Sequence, residues 1–364
     1  MEKIAILANS DVGLYKFRRE LVEELVKKYE VHLILPYGDF IDDFIKMGCT
    51  FHRVEFSSRG TNPVHDLKLL YTYKKLLREI KPIAALTYTI KPNVYGGMAC
   101  ASLGIPYITN ITGLGTAVEN TGVLSLITTA LYKFSLRKAK KVFFQNEANL
   151  EFMKKKHIVK ENYDLLPGSG VNLRHYKQLP YPEGDTVNFV FVARVMKEKG
   201  IDQYLEAAEY IGREYPNTHF HICGSCSDEY KDILAQQKYK DCVTYHGAVK
   251  DMLPIYQMSS CTIHPTYYPE GMSNVLLESC ASARPIITTD RPGCKEIVDD
   301  AVNGYIAREK DAGDLIKKIE KFLALTYEQK KEMGLRGREK VEREFNRDIV
   351  VNKYMQEIAD CGRV

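Results

Sequence analysis

Residues 187–200 read Val187-Asn188-Phe189-Val190-Phe191-Val192-Ala193-Arg194-Val195-Met196-Lys197-Glu198-Lys199-Gly200. The first seven form an apolar run of strand length, rich in β-branched and aromatic residues, and the amphipathic stretch 200–212 that follows predicts a helix. A strand that passes through a basic turn into a helix sets Arg194 and Lys199 at the strand's carboxyl end, where open α/β sheets bind ligands. Arg can grip a phosphate through two parallel N–H donors, and Lys adds a point charge.

The same alternation continues on both sides of this stretch. Downstream, strands are expected at 218–223, 243–246, 261–264, 285–288 and 304–307. Upstream, they are expected at 3–8, 31–35, 83–88, 107–109 and 141–145, with helices at 16–28 and 66–79. The pattern breaks at 167–185, which is rich in Gly, Pro, Asn and Tyr and lacks periodicity. Two α/β series joined by a linker, in 364 residues, predict two Rossmann-like domains with parallel sheets facing a central cleft. The expected divisions are 1–172, 173–346 and a C-terminal helix within 347–364 that returns to the first domain.

Composition excludes several classes. A net charge of +4 is too small to argue for nucleic acid. Nine cysteines include one CxxC, Cys223 to Cys226, with no second pair at zinc spacing, so reduced thiols are expected. No apolar run reaches about 18 residues and no leader pattern is present, so the expected location is cytoplasmic. The charge is uneven: residues 1–175 carry 25 Lys and Arg against 17 Asp and Glu, a net of +8, and the remainder carries −4. A basic first half suits an anionic partner.

The segment Glu270-Gly271-Met272-Ser273-Asn274-Val275-Leu276-Leu277-Glu278 follows the strand expected at 261–264. A helix from about Ser273 would leave the N–H groups of Met272, Ser273 and Asn274 free at its start, a natural phosphate site. Gly271 would permit close backbone approach to a ligand. Glu270 and Glu278 could then accept hydrogen bonds from hydroxyls on either side of a diphosphate, as a sugar nucleotide presents them.

With these residues in view, the chain resembles the family-4 glycosyltransferases of the GT-B fold over nearly its whole length. Glu270 and Glu278 look like the family's paired glutamates, and Arg194 and Lys199 like its diphosphate-binding cations. The resemblance implies that Glu270 meets donor-sugar hydroxyls, that Glu278 holds the ribose, and that Gly224 and Val249 approach the nucleotide. It also implies that Gly13, in the turn Asn9-Ser10-Asp11-Val12-Gly13-Leu14, reaches the diphosphate, with Arg18 close behind it. Members retain anomeric configuration and need neither metal nor cofactor, and no Asp-x-Asp pair here is placed to hold a divalent ion. The implied substrate is a nucleotide sugar, UDP before GDP, carrying a hexose or N-acetylhexosamine. The loops 87–93 and 109–115 lack the His that many relatives place near the donor sugar, leaving Lys91, Asn110 and Thr112 as candidates to line the acceptor side.

Residues Leu124, Ile127, Leu131 and Phe134 make an apolar helical stripe, followed by Lys133, Arg137, Lys138, Lys140 and Lys141 with no acid among them. Such a helix can lie on an anionic membrane surface. Together with the resemblance it implies a lipid-linked saccharide acceptor, of polyprenyl type, in bacterial cell-surface glycan assembly. A nucleotide-sugar epimerase and a non-catalytic sugar-nucleotide binding module remain alternatives.

Overall fold

A computed structural model describes residues 1–55, 62–114, 123–236, 239 and 241–362 of the chain, without the side chains of Val123 and Leu124. The chain forms two compact units. The first comprises Met1–Gly170, Glu270–Met272 and Arg347–Val364; the second comprises Val171–Pro269 and Ser273–Asn346.

The first unit is built on a seven-stranded parallel sheet in the order β3-β2-β1-β4-β5-β6-β7. Its strands are β1 (Lys3–Leu7), β2 (Glu30–Leu35), β3 (Thr50–Arg53), β4 (Ala84–Tyr88), β5 (Tyr107–Ile111), β6 (Lys141–Phe144) and β7 (Tyr163–Leu165). Successive residues alternate between two cores: Ala5, Leu7 and Ala85 join one, Ile4, Ile6 and Leu86 the other. Both faces of the sheet are therefore covered, which is why its strands are near-continuous apolar runs. The second core is completed by Val350, Val351, Tyr354 and Ile358 of the C-terminal helix Arg347–Ala359. Arg347 fastens the start of that helix, donating to both oxygens of Glu20 and to the carbonyls of Lys16 and Gly170.

The second unit has a six-stranded parallel sheet in the order β10-β9-β8-β11-β12-β13. Its strands are β8 (Val187–Val192), β9 (Thr218–Cys223), β10 (Val243–Gly247), β11 (Cys261–His264), β12 (Ile286–Thr289) and β13 (Gly304–Ala307). Phe189, Phe191, Phe220 and Ile222 face one layer of helices, and Val190 faces the other. Arg284 is fully buried. Its guanidinium donates to the carbonyls of Leu179, Pro180, Tyr256, Gln257 and Ala283, binding the linker to the end of the helix Leu253–Met258.

Several elements differ from the sequence expectation. The first helix begins at Asp11, not near residue 16, because extended Ser10 caps it and the Asp11 carboxylate accepts the Phe40 N–H at 2.8 Å. Strands β3 and β7 are too short to carry a period. The long helix Tyr327–Glu344 shows almost no apolar stripe, since it packs through Gly334 and Gly337, where a side chain would meet the Ala283 carbonyl and Cys280. All nine cysteines are free thiols, and burial pushes Cys223 up to about 12.

Candidate functional site

In both sheets the chain reverses its direction of growth beside the first strand of the unit, at β1/β4 and at β8/β11. Crevices at the carboxyl ends of such strand pairs are where ligands sit. In the second unit β8 and β11 are hydrogen-bonded neighbours, Cys261 opposite Phe189 and Thr262 opposite Val190. The turn bearing Arg194 and Lys199 is thus brought beside the loop that leads toward Glu270.

These two loops are stitched together. The Tyr267 N–H donates to the Glu198 carbonyl at 3.0 Å, and Thr266 Oγ1 donates to the same oxygen at 3.3 Å. Gly200 ends the short Lys197–Lys199 turn at φ 77°, and a Cβ there would fall 2.0 Å from the Pro265 carbonyl oxygen. Only glycine fits, on both counts. Above this seam the Arg194 guanidinium lies 5.7 Å and the Lys199 ammonium 4.9 Å from the centre of the Tyr268 ring. An aromatic face attracts cations at this range, so one ring holds two positive charges together at the switch point. Tyr268 was not singled out in the sequence, although its place two residues before Glu270 was a usable signal.

The helix Asn274–Ala281 follows, with Ser273 as its N-cap. Of the three N–H groups expected to be free at its start, that of Ser273 donates to the Gly293 carbonyl at 2.8 Å. The donors turned to the helix axis begin instead at Asn274. Ser273 makes no side-chain cap. Its Oγ and Asn274 Oδ1 are buried without a hydrogen-bond partner among the described residues. Buried polar atoms are rarely left so, and these two fit a polar ligand at the helix start. Glu278 lies one turn in and accepts from Tyr256 Oη at 3.3 Å. Burial, with Glu278 alongside, pushes the Tyr256 phenol well above its ordinary range, so it remains a donor to the carboxylate.

Gly224, at φ 153°, is wedged between strand ends: its N–H donates to the Gly247 carbonyl, and a Cβ would overlap the Ala193 carbonyl oxygen. Val249 packs on Val190, Cys223 and Ile255. Both belong to the carboxyl edge of the sheet on its β9–β10 side.

Glu270, Gly271 and Met272 count with the first unit. Asn146 Nδ2 donates to the Glu270 carbonyl at 3.1 Å and to that of Gly271 at 2.6 Å, while its Oδ1 caps the helix Glu147–Lys155. A Cβ on Gly271 would lie 2.4 Å from both the Thr112 carbonyl oxygen and Gln145 Oε1. The glycine is thus required by neighbouring protein, where the sequence suggested approach to a ligand.

In the first unit the expected residues take varied places. Gly13 lies inside the first turn of the helix Asp11–Val26, not in a loop, and its N–H has only a long contact to Ser10 Oγ at 3.5 Å. Arg18 is buried, its guanidinium 5.4 Å from the Tyr88 ring and 6.0 Å from that of Tyr354. Asn110 is fully buried: it donates to Tyr354 Oη, accepts from Gln145, and its carbonyl accepts from Asn93. Lys91 pairs with Asp66 at 2.8 Å in a mostly buried bridge. Asn110 and Lys91 therefore spend their polar groups on the protein itself, whereas Arg18 donates through Nη1 to the Phe17 carbonyl at 2.8 Å and keeps a buried Nε with no hydrogen-bond partner among the described residues. Of the expected acceptor-side residues, Thr112 alone is half-exposed with no side-chain pairing described. Gly115 and the side chain of Leu124 lie outside the described residues.

On the helix Val123–Leu136 and just past it, Lys133, Arg137 and Lys138 are exposed. Lys140 is half-buried and Lys141 pairs with Glu357 at 3.0 Å, so the surface cluster is smaller than the sequence suggested. Among the described residues no helix is long and apolar enough to cross a membrane.

Residues 176–340 match the family of glycosyl transferases group 1, and residues 3–146 match the glycosyl transferase 4-like family. An N,N'-diacetylbacillosaminyl-diphospho-undecaprenol alpha-1,3-N-acetylgalactosaminyltransferase of Campylobacter jejuni is 25% identical over 340 residues, 88% of this chain and 89% of its own. The capsular polysaccharide biosynthesis glycosyltransferase CapM of Staphylococcus aureus is 28% identical over 170 residues, 45% of this chain and 44% of its own. Among solved structures, Anabaena HepE in complex with UDP superposes with a TM-score of 0.80 at 15% identity, covering 98% of this chain and 99% of that one. That likeness shows the fold, two Rossmann-like domains in the GT-B arrangement of elements.

Proposed function

We propose that this chain, a glycosyltransferase composed of a glycosyl transferase 4-like half and a group 1 half, moves a hexose or N-acetylhexosamine from UDP to a lipid-linked saccharide with retention of configuration. The reading of the acceptor is supported by the Campylobacter relative, whose substrate is carried on diphospho-undecaprenol. The observation that carries the reading of the donor is the pairing of Arg194 and Lys199 over Tyr268, beside the crevice where β8 meets β11.

In this reading the two cations and the first N–H groups of the helix Asn274–Ala281 hold the diphosphate. Glu270 accepts hydroxyls of the donor sugar, and Glu278 accepts those of the ribose, with Tyr256 orienting its carboxylate. The bond between the anomeric carbon and the phosphate oxygen breaks heterolytically, and the electron pair leaves on UDP. The acceptor oxygen bonds to the anomeric carbon on the face that the phosphate vacates. Its proton passes to the departing phosphate oxygen, so no strong protein base is needed. Charge on the leaving phosphate grows in the transition state, and donors already in place there lower the barrier. No metal step enters this scheme. Attachment of the protein to an anionic membrane face would bring it to such an acceptor, through Lys133, Arg137 and Lys138.

The test is a donor screen followed by product analysis. UDP-sugars should raise the melting temperature more than GDP-sugars, and turnover should survive a chelator. The anomeric coupling constant of the product should match that of the donor; an inverted product would overturn the mechanism, and stabilisation by GDP alone would overturn the base assignment.

A further inference from the structure

Arg18 stands on the second turn of the helix Asp11–Val26 and is only 4% exposed. A guanidinium carries a full charge and five N–H donors. Among the described residues one donor is used, on the Phe17 carbonyl, and Nε is buried without a partner. No carboxylate among those residues pairs with Arg18, which lies against the rings of Tyr88 and Tyr354 instead. Buried charges are normally paired, so a cation left this way in the interior marks a place where an anion arrives with a ligand.

The chain beside Arg18 is arranged to the same end. Tyr88 is the last residue of β4, 5% exposed, and its hydroxyl has no hydrogen-bond partner among the described residues. Burial holds this phenol well above its ordinary range, so it stays a neutral donor. Thr89 follows at φ 70°, and its Oγ1 is also buried and unpartnered. A β-branched residue is rarely left-handed, and such strain persists only where the surroundings enforce it. Here they do. Lys91 pairs with Asp66 at 2.8 Å, Tyr95 Oη donates to the other Asp66 oxygen at 2.9 Å, and Asn93 Nδ2 donates to the Asn110 carbonyl at 2.9 Å. The chain passes at once into the π-helical turn Pro92–Gly96, a distortion frequent at functional sites. All of this lies at the carboxyl end of β4, where β4 borders β1 at the switch point of the first sheet.

We propose that Arg18, Tyr88 and Thr89 form an anion subsite of the first unit that takes the diphosphate of a lipid-linked acceptor. The inference rests on the acceptor reading given above and supplies that substrate with its charged contact. Three donors without acceptors of their own suit an oxyanion, whereas a sugar hydroxyl would bring a further donor. The half-exposed Thr89 and Ile90 form the rim of the subsite. The donor diphosphate is provided for in the second unit by Arg194, Lys199 and the helix Asn274–Ala281. Lys91, the cation nearest to Thr89 in sequence, is spent on Asp66, so it does not compete for the same anion.

The experiment titrates wild type, Tyr88→Phe and Arg18→Gln calorimetrically with UDP, and with inorganic pyrophosphate in the absence and presence of saturating UDP. Wild type should take up pyrophosphate while UDP is bound. Tyr88→Phe removes an unpartnered hydroxyl and keeps the ring, so the fold should hold, and the melting temperature checks this. This variant should bind pyrophosphate about threefold more weakly and UDP as before. Arg18→Gln should weaken pyrophosphate at least about tenfold, because a charged donor grips phosphate more strongly than a neutral one. Where Arg18→Gln fails to fold, Tyr88→Phe decides. Wild type that takes up no pyrophosphate, or variants that take it up unchanged, would overturn the subsite and leave Arg18 a packing role. Exclusion of pyrophosphate by UDP, or a fall in UDP affinity in Tyr88→Phe, would assign the subsite to the donor and overturn the acceptor assignment. Absence of UDP binding in wild type would overturn the donor reading above, and the pyrophosphate titration of Tyr88→Phe would still decide the subsite.

Discussion

The Lys199 ammonium lies 4.9 Å from the centre of the Tyr268 ring, which the Arg194 guanidinium also approaches, at 5.7 Å. The ring face draws both cations to one place beside the crevice where β8 meets β11. Tyr268 is thus a positioning residue for the proposed donor site. Each cation–π contact at a partly exposed site is worth about 0.5–1 kcal/mol. Tyr268→Leu should therefore raise the donor KM about three- to tenfold with a smaller change in kcat, and Tyr268→Phe should restore it. Equal kinetics for Leu and Phe variants would remove the ring from the site.

Arg194 and Lys199 should be separable from the fold. Arg194→Ala or Lys199→Ala should lower kcat about 100- to 1,000-fold, the usual cost of losing one preorganised donor to a leaving group. Their melting temperatures should stay near that of the wild type, because Arg194 is exposed and Lys199 half-buried. A variant with full activity would show that its cation has no part in departure of the phosphate.

Arg284 should matter for stability alone. Its guanidinium supplies the carbonyls of Leu179, Pro180, Tyr256, Gln257 and Ala283. Arg284→Leu strands several buried acceptors, at about 1–3 kcal/mol for each that water does not reach. Chemical denaturation should show a loss of roughly 3 kcal/mol or more, with donor affinity unchanged in the protein that remains folded. A midpoint equal to the wild type would mean that the linker is held by other contacts.

The β9–β10 pair should make stability fall in mild acid. His221 is buried, with Nδ1 3.0 Å from His246 Nε2 and Nε2 3.1 Å from Asn188 Oδ1, so one proton serves the two facing ring nitrogens. Burial, followed by the neighbouring His219 and His246, lowers His221 to about 4 from an ordinary value of 6.5. Between these values the unfolded chain binds the proton that the folded protein refuses. Stability from this group is thus complete above about pH 6.5 and is lost as pH falls toward 4. The difference is at most about 3 kcal/mol. Urea midpoints at pH 7 and 4.5 should differ less for His221→Leu than for the wild type; equal differences would place the acid sensitivity elsewhere.

The sequence alone determined the architecture and where the proposed donor site was to be sought. Strand and helix periods are local properties, and short apolar runs with crossover helices between them can pack only as covered parallel sheets. The turn after residue 193 and the segment from 270 to 278 were legible because each follows a strand, and a strand's carboxyl end is fixed by chain direction. What the chain could not declare was the direction in which each polar or apolar group is turned. Asn110 and Lys91 read as ligand-facing, yet register sets them against Tyr354 and Asp66. Gly271 reads as room for a ligand, yet the space is filled by the carbonyl of Thr112. Tyr268 reads as an ordinary loop aromatic until the pairing of β8 with β11 brings it under two cations. In each case the deciding contact joins residues distant in sequence, and only the packed sheet specifies it.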